Sequence, residues 1–259
     1  MLVLHRALGT WRRKVDAFFT LTQFARSKFI EAGFPEDRVH VKTNSVAPSA
    51  ESDVEKSDDF VFVGRLSPEK GVSTLLAAWA LDPGLPTLKI LGDGPLADVV
   101  RAAQQRDSRI QWLGQRKHGE VQDILSRAQA LIMPSLWYET FGRTIIEAYS
   151  VGTPVIASLL GAMEELVEEK RTGMFFEPGQ AESLVEQVRQ FIALPPAVRQ
   201  EMAAAAKSRY FERFTPESNY QRLIEIYETA RQRAKHRRCS AARYYEHKEN
   251  LIPHTERQS

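Results

Sequence analysis

Cysteine is nearly absent from this chain: Cys239 is the single one in 259 residues. That excludes an internal disulfide framework and a cysteine-built metal site, and makes the cytoplasm the expected compartment. No apolar run approaches the roughly 20 residues that span a bilayer, and the apolar start Met1-Leu-Val-Leu4 is too short for a signal peptide. The histidines (His5, His40, His118, His236, His247 and His254) show no ligand spacing and no carboxylate or cysteine cluster joins them, so no metal is expected. A Gly-x-Ser-x-Gly elbow is missing, which speaks against a serine hydrolase. A Gly-x-Gly-x-x-Gly run is missing too, which speaks against a nicotinamide cofactor. Without a zinc-finger or helix-turn-helix signature, or a basic patch interleaved with aromatics, no nucleic-acid partner is expected. There is no internal repeat.

What is present is an ordinary globular composition, 43% hydrophobic and 26% charged, with charge unevenly spread. Residues 1–50 carry 8 Lys/Arg against 4 Asp/Glu, and residues 231–259 carry 8 against 3. With +2 overall, ends of +4 and +5 leave the middle at −7. Basic ends suit peripheral contact with an anionic membrane face, and they equally suit a solvated, frayed tail.

From residue 60 onward strand and helix signals alternate. Phe60–Val63, Thr87–Leu91, Arg109–Leu113, Ala130–Met133, Pro154–Ala157 and Gly173–Phe176 read as short buried strands. Between them, Gly71–Leu81, Leu96–Arg106, Glu120–Arg127, residues 143–151 and residues 162–169 read as helices. Such alternation with short loops implies a parallel sheet covered on both faces, and right-handed crossovers make it an α/β Rossmann-like doubly wound domain. Two flanks stand apart. Residues 14–32 read as one helix followed by a strand at Val39–Thr43, the last piece of another domain. Residues 181–235 read as helical, broken at Pro195-Pro196 and Thr215-Pro216, and residues 236–259 read as a loose basic tail. The expected divisions are therefore 1–48, 49–215, 216–235 and 236–259.

The stretch Glu139-Thr-Phe-Gly-Arg-Thr-Ile-Ile-Glu147 carries the most chemistry. Glu147 lies among Ile145, Ile146, Ala148 and Tyr149 in a helix that is almost wholly apolar. An ionised carboxylate there is costly unless paired, and Arg143 is the one base at helical spacing. A hydroxyl-rich ligand would supply donors, which makes Glu147 a candidate for ribose and Glu139 a candidate for a sugar. Ligands of open α/β sheets bind beyond the carboxyl ends of the strands. Here those ends carry Gly64-Arg-Leu-Ser-Pro-Glu-Lys-Gly71, Gly92-Asp-Gly94-Pro, Gly114-Gln115-Arg116 and the loop before Glu139. Ser67 suits an N-cap and Pro68 the first helical position, so Lys70 would oppose the helix dipole and must serve something else. With Arg65 it could neutralise a diphosphate; two solvated surface cations would read the same way. The Gly142-Arg143-Thr144 turn opens a helix whose free amides suit a phosphate.

Taken together, these motifs resemble the retaining glycosyltransferases of family 4, glycosyl transferases group 1 with the two-domain GT-B architecture. The resemblance runs from about residue 10 to 230. It rests on residues 64–71, Gly92–Pro95 and the Glu139–Glu147 element, and continues through Gly152-Thr-Pro-Val-Ile-Ala157, Gly161-Ala-Met-x-Glu165 and Thr172-Gly173. It implies a nucleotide-binding domain that moves a sugar from a nucleotide diphosphate to a glycan, lipid or small-molecule acceptor, with retention and without metal or other cofactor. It implies that Arg65 and Lys70 meet the diphosphate and that Glu139 contacts the sugar. Backbone amides of Phe141, Gly142 and Arg143 would serve sugar and phosphate, with Gly64 and Thr144 beside them. Glu147 would bind ribose, Gly92 and Gly94 would approach the nucleotide, and Gly114, Gln115 and Arg116 would lie near the base. The family's acceptor domain precedes this region, and here only its last helix and strand are expected, in residues 10–45. A non-catalytic nucleotide-sugar-binding module, or half of a split enzyme completed by an acceptor-domain polypeptide, is the alternative.

Overall fold

The computed structural model describes residues 4–5, 8–10, 14–48 and 55–249. Six strands form one wholly parallel sheet: β3 (Phe60–Val63), β4 (Leu88–Leu91), β5 (Ile110–Gly114), β6 (Ala130–Met133), β7 (Val155–Ser158) and β8 (Gly173–Phe176). Their spatial order is β5-β4-β3-β6-β7-β8. The chain therefore reverses its direction of growth between β3 and β6, the topological switch point where doubly wound sheets open a crevice.

The period-two geometry of a strand sorts the apolar residues onto two faces. Phe60, Phe62, Ile90, Ile132 and Ile156 meet α2 (Val72–Leu81), α3 (Ala97–Arg106) and α7 (Ala181–Ala193), whose Trp79 and Phe191 fill that side. Val61, Leu91, Leu131, Met133 and Val155 meet α4 (His118–Arg127), α5 (Arg143–Ser150) and α8 (Pro196–Arg213) through Leu125, Tyr149 and Tyr210. Covered on both faces, the central strands β3, β6 and β7 read as nearly continuous apolar runs, while Lys89 of β4 and Gln111 of the edge strand β5 interrupt theirs. Two of the large polar tips buried with these strands are satisfied. The Trp79 indole donates to Pro86 O at 2.7 Å, and the Tyr149 hydroxyl, its pKa raised by burial, shares a 2.7 Å bond with Thr172 Oγ1.

Three sequence expectations change. Residues 14–32 are not one helix. Phe18–Thr20 form β1, which pairs in parallel with β2 (Val39–Val41), and the helix α1 spans only Gln23–Glu31. Thr22 caps it, its hydroxyl accepting from Ala25 N at 3.1 Å, and the β-favouring pair Phe18-Phe19 precedes the cap. The helix and strand therefore do carry a small sheet of their own. Second, residues 236–249 are helical: α9 runs from Pro216 to Glu249, with neither glycine nor proline after its first residue to stop it. Residues 250–259 of the expected tail lie outside the described residues. Third, α2 begins at Val72; Pro68–Lys70 form a short 3-10 turn, separated from α2 by Gly71 at φ 70°. On α9, Ile226 is buried while Tyr220, Ile224 and Tyr227 stay exposed. Asn219 and Arg222 of that helix reach back to Thr43 O and Val41 O, holding β2 against the larger unit.

Candidate functional site

A cleft of about 320 Å³ opens at the carboxyl ends of β3, β4 and β5. Val63, Leu91 and Val121 give it apolar walls, and Gly64, Arg65, Gly92, Asp93, Gln115 and Arg116 its polar rim. Five of the residues expected at a nucleotide (Gly64, Arg65, Gly92, Gln115 and Arg116) thus converge there. Arg65 makes no salt bridge among the described residues, whereas Arg116 leans toward Glu120 at 3.5 Å. Gly114 closes β5 at φ 70°, and a side chain there would meet only open space.

Gly92 and Gly94 serve first the packing of loop on loop. A Cβ on Gly92 would lie 1.8 Å from Gly64 O, and one on Gly94 would lie 2.6 Å from Leu66 O. Leu66 N donates to Asp93 O, and Leu96 N to Leu66 O, both at 2.9 Å. These bonds clamp the loop after β4 onto the loop after β3 and so shape the cleft floor.

On the β6 side of the switch point Glu139 is held by two donors. Lys70 Nζ and Ser135 Oγ each lie 2.6 Å from Glu139 Oε1. Glu139 is only 16% exposed and Lys70 28%, so the pair is largely shielded from water. Lys70 is therefore not the misfit expected from a helix start. It ends a 3-10 turn and spans the crevice to a carboxylate sixty-nine residues away. Ser67 does not cap a helix either; its hydroxyl donates to Glu69 Oε1 at 2.6 Å, which holds the Glu69 carboxyl below its ordinary range, with Arg65 and Lys70 adding to the effect.

The helix α5 opens at Gly142, φ 84°, which leaves the amides of Arg143 and Thr144 without an acceptor inside the helix. Phe141 leaves only its backbone accessible, because its ring is buried against Phe214. Glu147, 12% exposed, is paired by Arg143 Nε at 3.0 Å, and His118 Nδ1 stands 3.9 Å away at the start of α4. The sequence offered Arg143 through its i,i+4 spacing. It did not offer His118 or Ser135, because both partners depend on how strands and helices are placed. Beside Glu139, Trp137 projects into solvent at 72% exposure, and Tyr138 stacks on Phe24 of α1 with centroids 4.7 Å apart. Glu165 of the helix α6 (Ala162–Leu166) accepts from the first amides of α1, Gln23 N at 2.6 Å and Phe24 N at 3.3 Å. Among the described residues no helix is long and apolar enough to cross a membrane.

A parallel sheet with this strand order, opening a cleft at its switch point, defines a Rossmann-like doubly wound α/β domain. Residues 47–209 match the family described as glycosyl transferases group 1, and the chain belongs to that family. It is 33% identical over 180 residues to glycogen synthase of Mycobacterium tuberculosis, covering 67% of this chain and 43% of that protein. It is 28% identical over 223 residues to alpha-maltose-1-phosphate synthase of Mycolicibacterium smegmatis, covering 74% of this chain and 57% of that one. The chain thus spans about half the length of the curated relatives it matches. Among solved structures, Anabaena Alr3699/HepE in complex with UDP shares the fold, with a TM-score of 0.78 at 23% identity over 87% of this chain and 67% of that chain.

Proposed function

We propose that this chain carries the donor-binding part of a family 4 retaining glycosyltransferase, which takes a sugar from a nucleotide diphosphate. The observation that carries the reading is a glycine-rimmed cleft at the switch point with an unbridged Arg65 on its rim; the partly buried carboxylates Glu139 and Glu147 follow β6, the strand on the other side of that switch point, and do not line the cleft itself. In this reading the base lies toward Gln115 and Arg116, and ribose hydroxyls donate to Glu147. The diphosphate meets Arg65, Lys70 and the free amides that open α5, and the sugar reaches Glu139. Transfer breaks the bond between the anomeric carbon and the diphosphate oxygen and forms one to an acceptor hydroxyl. The negative charge that grows on the leaving diphosphate is what fixed cations and a helix start stabilise. The UDP and UDP-glucose in the HepE structures support a nucleotide diphosphate as the ligand class.

Calorimetric titration with UDP, GDP and ADP tests the reading. At least one should bind, and Arg65→Ala should weaken it by about 1.5–3 kcal/mol, the worth of hydrogen bonds to a charged group. Failure of all three to bind overturns the proposal.

A further inference from the structure

Ser135 follows Pro134 at the carboxyl end of β6 and is 1% exposed. Serine hydroxyls in loops commonly turn to nearby backbone; this one donates instead to Glu139 Oε1, at 2.6 Å. Lys70 reaches the same oxygen from the opposite loop at 2.6 Å. Two donors on one oxygen fix the carboxylate's rotation and leave Oε2 uncommitted among the described residues.

The two donors differ in what they can do next. Lys70 carries its charge on a flexible stem, and a diphosphate in the crevice would compete for it. Ser135 has no such freedom, because its neighbours on both sides are pinned to the Lys70 loop. A Cβ on Gly71 would lie 1.7 Å from Pro134 O, so those backbones are in direct contact, and Leu136 N donates to Glu69 O at 2.9 Å. Once Lys70 turns to phosphate, Ser135 is the donor that still orients Glu139.

We propose that Ser135 is a positioning residue of the donor site. It holds Glu139 so that Oε2 accepts from a hydroxyl of the donor's sugar while Lys70 serves the diphosphate. This rests on the donor-binding reading above. It requires that Ser135 matter for the sugar and not for the nucleotide.

The test uses the full chain and Ser135→Ala and Ser135→Cys variants, titrated calorimetrically with UDP and UDP-glucose, GDP and GDP-mannose, and ADP and ADP-glucose. The pair that the native chain binds most tightly is then compared across variants. Ser135→Ala should leave the affinity for the bare diphosphate within about twofold and weaken the sugar conjugate by about three- to tenfold, the range of a single hydrogen bond. Ser135→Cys should fall between, since a thiol is a weak donor of similar size. The unchanged diphosphate affinity shows that the variant is folded. Equal loss for both ligands would assign Ser135 a structural role only and overturn the proposal, as would no change for either. If the native chain binds none of the diphosphates, the donor-binding reading itself falls and takes this one with it. If it binds and the ratio does not move with the substitution, only the role of Ser135 falls.

Discussion

Glu139 and Glu147 stand eight residues apart and are held in opposite ways. Glu139 lies in a loop and takes its partners from Ser135 and from Lys70, across the switch point. Glu147 lies in α5 and takes Arg143 from one turn earlier in the same helix. The orientation of the first depends on two strands being neighbours in the sheet; that of the second follows from 3.6 residues per turn. In the proposed donor site, the carboxylate assigned to the sugar is thus fixed across the sheet, and the one assigned to the ribose is fixed along its own helix.

That contrast breaks most severely at Gly71. A side chain there faces both a left-handed φ of 70° and the Pro134 carbonyl, so Gly71→Ala should push the two loops apart. A loss of about 3–5 kcal/mol in urea-unfolding stability is expected, the range of severe backbone and packing conflicts. The Arg143–Glu147 pair should survive it, because among the described residues neither member makes a hydrogen bond or ion pair to the displaced loop. Next in size, Glu147→Ala should weaken the bare nucleotide diphosphate and its sugar conjugate alike, by about 1.5–3 kcal/mol in a calorimetric titration. A parallel loss for both ligands sets this carboxylate apart from Glu139, whose effect should be confined to the conjugate. Unchanged binding would remove Glu147 from the site. The smallest effect belongs to Arg143→Ala. With the arginine 64% exposed but Glu147 only 12%, the lost i,i+4 pair should cost up to about 1 kcal/mol of stability by thermal unfolding, the upper end for such pairs.

The same contrast explains what could be read in advance. The six strands were legible because each is a short, mainly apolar run and five of them end at glycine, proline or serine, and the parallel sheet follows from alternation alone. Arg65, Gln115 and Arg116 were legible as residues just past strand ends. Ser135 and His118 were not, because nothing local marks a serine or histidine that will face a particular carboxylate. Lys70 stands out in the sequence for a reason the structure replaces: its position is unfavourable at a helix start, yet it belongs to a 3-10 turn and points to Glu139. In the sequence the glycines at 92 and 94 mark room for a ligand, while the close approach of Gly92 to Gly64 O and of Gly94 to Leu66 O, beside the bond from Leu66 N to Asp93 O, shows that they first make room for backbone. The strand at Phe18–Thr20 escaped because its partner, Val39–Val41, lies beyond a helix and a turn, and pairing over that distance leaves no periodic trace.

Trp137 also makes the site optically addressable. Of the other described tryptophans, Trp79 is fully buried, and Trp112 is bonded to Gly92 O with Arg101 over its ring. Trp137 stands in water, two residues before Glu139. Its emission should be the red-shifted component and the one that acrylamide quenches first. In a Trp11→Phe background, loss of quenching on adding ligand would report ordering of the Glu139 loop in real time, with no label attached to the protein.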